Sequence, residues 1–431
     1  MGVMDNDATA CYDRIISALS SIACQRIGMP KAAEQCHNNT LINMQFTVKT
    51  GFGISSEKYS SSPIDPLQGQ GQGSGNTPSC WGAVSTPMWT ALQKISPHRF
   101  FTISPDNTNE TSTQGVAFVD DATTMFNDAH LPTPMSLADS ISTLQQQSQH
   151  WEELLATTGG ALKLQKCAWW LIHWDWSLPT PQPTVLDTIA GSMQLRDSYN
   201  GDSLPIAYRN YNDAERTLGV RLAPSGSQEA ELKWLQSKAQ NISTQLYCAQ
   251  INRKTATIAY HSIFVPSIRY SLPCTSMTMK ECDTILSKSM PSMLSIMGIN
   301  RNMPKRVIYG PISHGGLGLT HFYTEQGYLQ IQKATSALRK LDTGGKMLLN
   351  IINTMQLIAG IPEPLLANPH RQMHHVPHGW VKSLQIFLRT INASIQIPNA
   401  MILTLPRDND YFLMSIFSRH ISSPTKLNHI N

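Results

Sequence analysis

Residues 116–126 constrain this chain more than any others. Val116-Ala117-Phe118-Val119 leads into Asp120-Asp121, and Ala122-Thr123-Thr124-Met125-Phe126 follows. β-branched and aromatic residues suit a pleated surface, so both flanks read as strands. Two adjacent acids between them make the tip of a hairpin. A rigid tip that concentrates negative charge suits a hard divalent cation such as Mg2+, which prefers carboxylate oxygens. A solvated turn is the plain alternative, since Asp favours turns on its own account. The choice needs a second acidic cluster.

That cluster stands at the N-terminus, as Asp7-Ala-Thr-Ala-Cys-Tyr12-Asp13. It begins so early that no complete strand or helix is expected before Asp7. Ile15, Leu19, Ile22 and Ile27 then follow helical spacing, and Gly28 with Pro30 ends that helix. Asp13 reads as a residue of the helix start, favoured there by the dipole. Met44 to Val48 alternates as a strand does, and residues 60–76 read as a loop rich in Ser, Gly, Pro and Gln. Beyond the acidic hairpin, Leu137, Ile141, Leu144, Trp151 and Leu154 share a helical face, with Ser136 as N-cap and Gly159-Gly160 as the stop. Trp169 to Trp176 reads as an aromatic strand, and Met193 to Ile206 as a hairpin turning at Asn200-Gly201. From Glu229 onward helical periods dominate: Leu232, Leu235, Ala239 and Ile242 form one stripe.

Charge is unevenly spread. Residues 216–306 hold twelve Lys or Arg against four Asp or Glu, whereas residues 1–130 hold seven against eleven. A basic region beside an acidic one fits a backbone-gripping surface next to a cation-binding site. The eight cysteines show no CxxC pair, which points to free thiols in a reducing compartment. No basic start with a long apolar run is visible, nor an apolar stretch near the ~20 residues that span a bilayer, so an intracellular protein is expected. His374 and His378 have the spacing of a helical zinc pair, but Pro377 interrupts a helix there.

Between the two acidic clusters lies Gln72-Gly73-Ser-Gly-Asn-Thr-Pro78. The ordered set DATACYD, QGSGNTP and FVDD resembles the palm motifs of reverse transcriptases, DxxxAFD, QGxxxSP and (F/Y)xDD. Gly160-Ala-Leu-Lys-Leu-Gln-Lys166-Cys167 resembles the GLxxNxxKT segment of that family. Thr217-Leu218-Gly219-Val220 resembles its YLG element, and Gly315-Gly-Leu-Gly-Leu319 a GGLG turn of non-LTR (LINE-type) retrotransposon enzymes. The similarity covers about residues 4–330.

The resemblance implies an α+β chain: an antiparallel palm sheet with helices on one face over residues 1–225, then a mostly helical thumb-like region, 226–345, and a mixed helix and loop region, 346–431. It implies RNA-directed DNA synthesis on a DNA primer and RNA template, from deoxynucleoside triphosphates, with two Mg2+ ions held by Asp7, Asp120 and Asp121. Tyr12 matches the steric-gate aromatic. Gln72 and Gly73 would lie beside the nascent base pair, and Lys166 is a candidate to protonate pyrophosphate. Arg253, Lys254, Arg301, Lys305 and Arg306, interleaved with apolar residues, would grip phosphates from the thumb. The same five fit a solvated helix face.

Two departures matter. Cys11 replaces Ala before the aromatic, and the Asn of GLxxNxxKT falls at Gln165 or its neighbour. Almost nothing precedes Asp7 where the family has its fingers, so weak or absent activity is expected of this chain alone. The alternative reading is a non-catalytic nucleic-acid-binding remnant of a retrotransposon.

Overall fold

The computed structural model describes residues 1–9, 11–62, 69–71, 74–175, 182–184, 193–371, 373–398, 400–403, 407, 409–417, 420–421 and 423–430. They form a mixed α/β chain of two compact units, residues 1–101 with 113–211, and residues 102–112 with 212–431.

The first unit is built on its own N-terminus. Strand β1 (Gly2–Asp7) leads into a helical turn, α1 (Cys11–Arg14), then α2 (Ser17–Arg26), α3 (Lys31–Ile42) and the long α4 (Thr77–Ile95). The acidic hairpin follows as β2 (Gly115–Phe118) and β3 (Asp121–Phe126), then α5 (Leu137–Thr157), β4 (Ala168–Leu171), the hairpin β5 (Gln194–Arg196) and β6 (Ser203–Pro205), and β7 (Ala207–Tyr208). The main sheet has the order β7-β4-β1-β3-β2. β1 is therefore its central strand, antiparallel to both β3 and β4. The expectation that no complete strand precedes Asp7 is overturned: six residues suffice, because neighbours on both sides satisfy the backbone.

The sheet is also not antiparallel throughout. β7 runs parallel to β4, with Ala168 opposite Ala207. A parallel pair needs a long crossover, and the segment between Leu171 and Ala207 provides it.

Alternation along the central strands separates two faces. Met4 and Asn6 of β1, with Ala122, Thr124 and Phe126 of β3, are buried; Asp5, Asp7 and Thr123 stand on the more open face. Leu144, Trp151 and Leu155 of α5 and Trp81, Val84, Met88 and Leu92 of α4 join Met4 in one core. Ser136 caps α5 by accepting from the Asp139 amide, as its position predicted. The apolar stripe expected after Asp13 is only half realised. Ile15 is fully buried, but Ile22 and Ile27 are exposed, and Ser20, Ala23 and Cys24 face inward instead. The helix is interrupted between α1 and α2, and the interruption resets the helical phase.

Trp169 and Trp170 are buried in β4, and the Trp169 indole donates to the Ile206 carbonyl at 3.1 Å. The aromatic strand ends earlier than expected, at Leu171, with a short segment at Trp174–Asp175 after it; Trp176 lies outside the described residues.

Beyond residue 211 the second unit continues with a tight hairpin, β8 (Glu215–Thr217) and β9 (Val220–Leu222), whose loop residues Leu218 and Gly219 both have positive φ. Its helices are α6 (Glu229–Cys248), α7 (Arg253–Ala259), α8 (Val265–Arg269), α9 (Met279–Ile296), α10 (Lys305–Ile308), α11 (Phe322–Lys340), α12 (Thr343–Ala359) and α13 (Trp380–Thr390), among shorter pieces. The α6 stripe turns Leu235 and Ala239 into a core with Tyr260, Phe264, Ile285 and Phe322. Thr278 and Glu281 form a capping box at the start of α9. The Gly315–Leu319 segment is a backbone turn: the Gly318 amide donates to the Gly310 carbonyl, and a Cβ on Gly316 would meet that carbonyl at 2.1 Å.

No helix among the described residues is long and apolar enough to cross a membrane. Cys24, Cys36, Cys80, Cys167, Cys248, Cys274 and Cys282 are free thiols.

Candidate active site

The open end of β1 places Asp7 directly opposite Asp121, as the last antiparallel pair between β1 and β3. Paired residues of such strands lie about 5 Å apart at Cα. Asn6, buried beneath them, donates to Thr124 Oγ1 across the same two strands at 3.3 Å. One residue back on the open face, Thr123 donates to Asp5 at 3.2 Å.

Asp120 enters from the hairpin loop. Phe118 pairs with Asp121, so Val119 and Asp120 form a two-residue turn. Val119 has φ of 61°, and Asp120 is not in the positive region. Positive φ at the first loop position alone is the type II′ pattern, which glycine normally fills. A β-branched residue there stores strain of about 1–3 kcal/mol. The Trp81 indole N–H donates to the Val119 carbonyl. Only the tertiary contact explains why a valine can stay in this conformation.

Asp121 feels the other two acids. Burial, then the negative charge of Asp120, then that of Asp7, hold the Asp121 carboxyl above the usual carboxylate range. Such mutual repulsion is what a bound cation relieves.

Lys166 is the fourth group at this end of the sheet. The loop after α5 is laced to β1: Thr9 N–H donates to the Ala161 carbonyl, and Lys163 N–H to the Asp7 carbonyl, each at 2.7 Å. That lacing carries Lys166 round, so that its Nζ lies 3.6 Å from Asp7 Oδ2. Gly159 makes the approach possible. Its φ is +90°, and a Cβ there would meet the Arg14 carbonyl oxygen at 2.2 Å. Next to Lys166, burial first and then the acids Asp7 and Asp5 push the Cys167 thiol up to about 12, so it is no nucleophile.

Tyr12 lies in α1, half-buried and packed against the main core. Gln72 and Gly73 lie outside the described residues. The residues just before them are pinned to the Tyr12 turn: Gln70 N–H donates to the Tyr12 carbonyl at 2.8 Å, and Gly69 N–H to the Ile15 carbonyl at 2.9 Å. Thr77, the first residue of α4, donates to the Gln70 and Gly71 carbonyls.

The five basic residues named from sequence all belong to the second unit and are exposed. Arg253 opens α7 and lies against Gly298, where a Cβ would meet its Nε at 2.4 Å. Arg301 lies three residues beyond Gly298, in a separate turn. Lys305 is already engaged, with Nζ 3.1 Å from Asp283 Oδ2, while His321 holds the other oxygen at 3.0 Å. Burial pulls the Asp283 carboxyl upward, but these two partners outweigh it and the net shift is down.

The donor set of Asp7, Asp120 and Asp121 is all carboxylate, which fits Mg2+ rather than a soft metal. Among the described residues, no three His, Cys, Asp or Glu side chains are gathered into a ready-made cage. The convergence is one of strand register and charge. Sequence reasoning missed Trp81, one of two Trp in the apolar helix α4, for which no local signal exists. It missed Val119 as well, which a two-residue loop length would have exposed.

No protein-family model and no curated protein sequence matches the chain. Among solved structures, telomerase from Candida albicans, in complex with the TWJ fragment of telomeric RNA, aligns over 78% of this chain and 47% of its own, at 8% identity and a TM-score of 0.29. The chain thus spans about half the length of that telomerase. At that TM-score the match establishes neither shared fold nor shared activity; what the molecule itself supplies is a mixed α/β chain in which Asp7 and Asp121 are strand partners.

Proposed function

We propose that this chain is the palm and thumb portion of a reverse transcriptase, similar to those of non-LTR retrotransposons, copying an RNA template onto a DNA primer. One observation carries the proposal: Asp7, from one end of the motif series, is the strand partner of Asp121, from the other. Turn chemistry alone has no reason to bring two acids so distant in sequence onto adjacent rungs of a sheet.

In this reading Asp7, Asp120 and Asp121 would hold two Mg2+ ions. When bound, the ions make the primer 3′-hydroxyl more acidic and neutralise the triphosphate. Asp7 sits on the central strand and Asp121 on its neighbour, so the carboxylates are presented from a rigid support. Lys166 stands beside Asp7, and in this reading it would give a proton to the departing pyrophosphate. Tyr12 and the loop at Gln72 and Gly73 would bound the deoxynucleotide. Arg253, Lys254, Arg301 and Arg306 would neutralise duplex phosphates.

Primer extension on an RNA template in Mg2+ tests this. Asp7→Asn and Asp120→Asn are each expected to lower incorporation by about 10³-fold or more, as loss of a metal-holding carboxylate does. Synthesis that survives both substitutions would end the polymerase reading.

A second reading is nucleic-acid binding without chemistry, which the exposed Arg253, Lys254, Arg301 and Arg306 of the second unit would serve equally well. Salt-sensitive binding of an RNA–DNA duplex, with no Mg2+-dependent synthesis at any enzyme concentration, would support it.

A further inference from the structure

The helix α4 grips the acidic hairpin at three points along its length. At its C-terminal end, the buried Gln114 side chain donates to the Leu92 and Ser96 carbonyls, at 3.2 and 2.7 Å. In its middle, Trp89 packs where a Cβ on Gly115 would stand, 2.8 Å from its ring. Trp89 is itself held by Trp151 of α5, with ring centroids 4.4 Å apart. Toward its N-terminal end, Trp81 donates to the Val119 carbonyl and is only 5% exposed.

The spacings agree. Trp81 and Trp89 are about 12 Å apart along a helix axis, and Gly115 and Val119 about 13 Å apart along a strand. The helix and the hairpin therefore lie alongside in opposite directions, and the two indoles meet the two ends of β2.

The Val119 carbonyl belongs to the peptide that joins Val119 to Asp120. Fixing that carbonyl fixes the peptide plane from which the Asp120 backbone departs. It also holds Val119 at a positive φ that a free valine would leave.

We propose that Trp81 is a positioning residue for Asp120: its indole N–H holds the strained Val119 peptide, and so aims the Asp120 carboxylate toward Asp7. The role of Asp120 as a cation holder rests on the polymerase reading; the clamp on the turn does not.

Four variants of the full chain decide it: Trp81→Phe, Val119→Gly, the double variant and Asp120→Ala. Phenylalanine keeps the ring and the packing but has no N–H. Glycine adopts the first position of a II′ turn without strain, so the turn no longer needs the clamp. Mn2+ affinity is read by the signal of the free ion, and amide hydrogen exchange is read at Asp120 and Asp121.

Trp81→Phe is expected to weaken Mn2+ binding by about 10-fold, as loss of a group that orients a ligand does, and to speed exchange at both amides. In the Val119→Gly background the same substitution is expected to change Mn2+ affinity less than about 2-fold, with slow exchange restored. Equal weakening in both backgrounds would mean plain loss of packing and would overturn the proposal. So would unchanged exchange in Trp81→Phe. Should Asp120→Ala bind Mn2+ as well as the unsubstituted chain, the polymerase reading fails, and exchange at the turn still judges the clamp because it needs no metal.

Discussion

Asp7 and Asp121 are opposite one another across two antiparallel strands, the last residue of β1 and the first of β3. Asp121 carries the consequence, since burial and the two neighbouring acids raise its proton affinity. A carboxyl whose folded pKa is raised destabilises the fold once it ionises. Stability from this group is therefore intact at acid pH and falls as pH rises beyond the ordinary carboxylate range. Asp121→Asn is expected to raise the Tm at pH 7 by on the order of 1 °C and to leave it unchanged at low pH. Millimolar Mg2+ should stabilise the unsubstituted chain and not the variant. A Tm that falls at pH 7 would contradict the repulsion.

Lys166 and Asp7 are both partly exposed, at 3.6 Å, and such pairs add little to stability. Lys166→Gln should leave thermal unfolding within about 1 °C of the unsubstituted chain. Its effect belongs to chemistry: nucleotide incorporation should fall by about 10²-fold, with loss of the high-pH limb of the rate profile. A full-rate Lys166→Gln enzyme would remove Lys166 from the reaction.

Gly159 is conformationally required. Alanine there adopts φ of +90° at a cost, and its methyl carbon enters the Arg14 carbonyl oxygen. Gly159→Ala is expected to destabilise by about 2–4 kcal/mol in denaturant unfolding. Lys166 is carried by the same loop, so incorporation should fall further than the stability loss explains. A neutral Gly159→Ala would show that the loop is not pinned to α1.

The basic residues of the second unit should not behave alike. If Arg301 and Lys254 contact phosphates, alanine at each lowers the slope of log affinity against log salt by about 0.9. Lys305 pairs with Asp283, whose other oxygen His321 holds. Lys305→Ala should change that slope less, and its main effect is expected in unfolding measurements. Duplex binding followed by fluorescence anisotropy over a salt series separates the two cases.

Much of this was legible locally. The hairpin around Asp120, the Ser136 cap, the buried pair Leu235 and Ala239 on α6 and the turn at Asn200-Gly201 follow from short-range patterns. Other features were not. The phase of α2 depended on an interruption of the helix at Ile15 and Ile16 that no periodicity announces. β7 joined β4 in parallel because of a crossover through an unrelated hairpin. Lys305 was indistinguishable from its exposed basic neighbours until Asp283 was found beside it.

Sequence alone determined which groups could do chemistry: two acidic clusters in order, with apolar strands around one of them. Composition and side-chain periodicity act over a few residues, and that range is enough to make a strand, a turn or a cap. Only the tertiary structure decided that Asp7 and Asp121 share a rung, that Lys166 reaches Asp7, and that Trp81 holds the peptide before Asp120. Those relations depend on strand pairing and helix packing between segments far apart in the chain, and the free energy that selects them comes from burying the core as a whole.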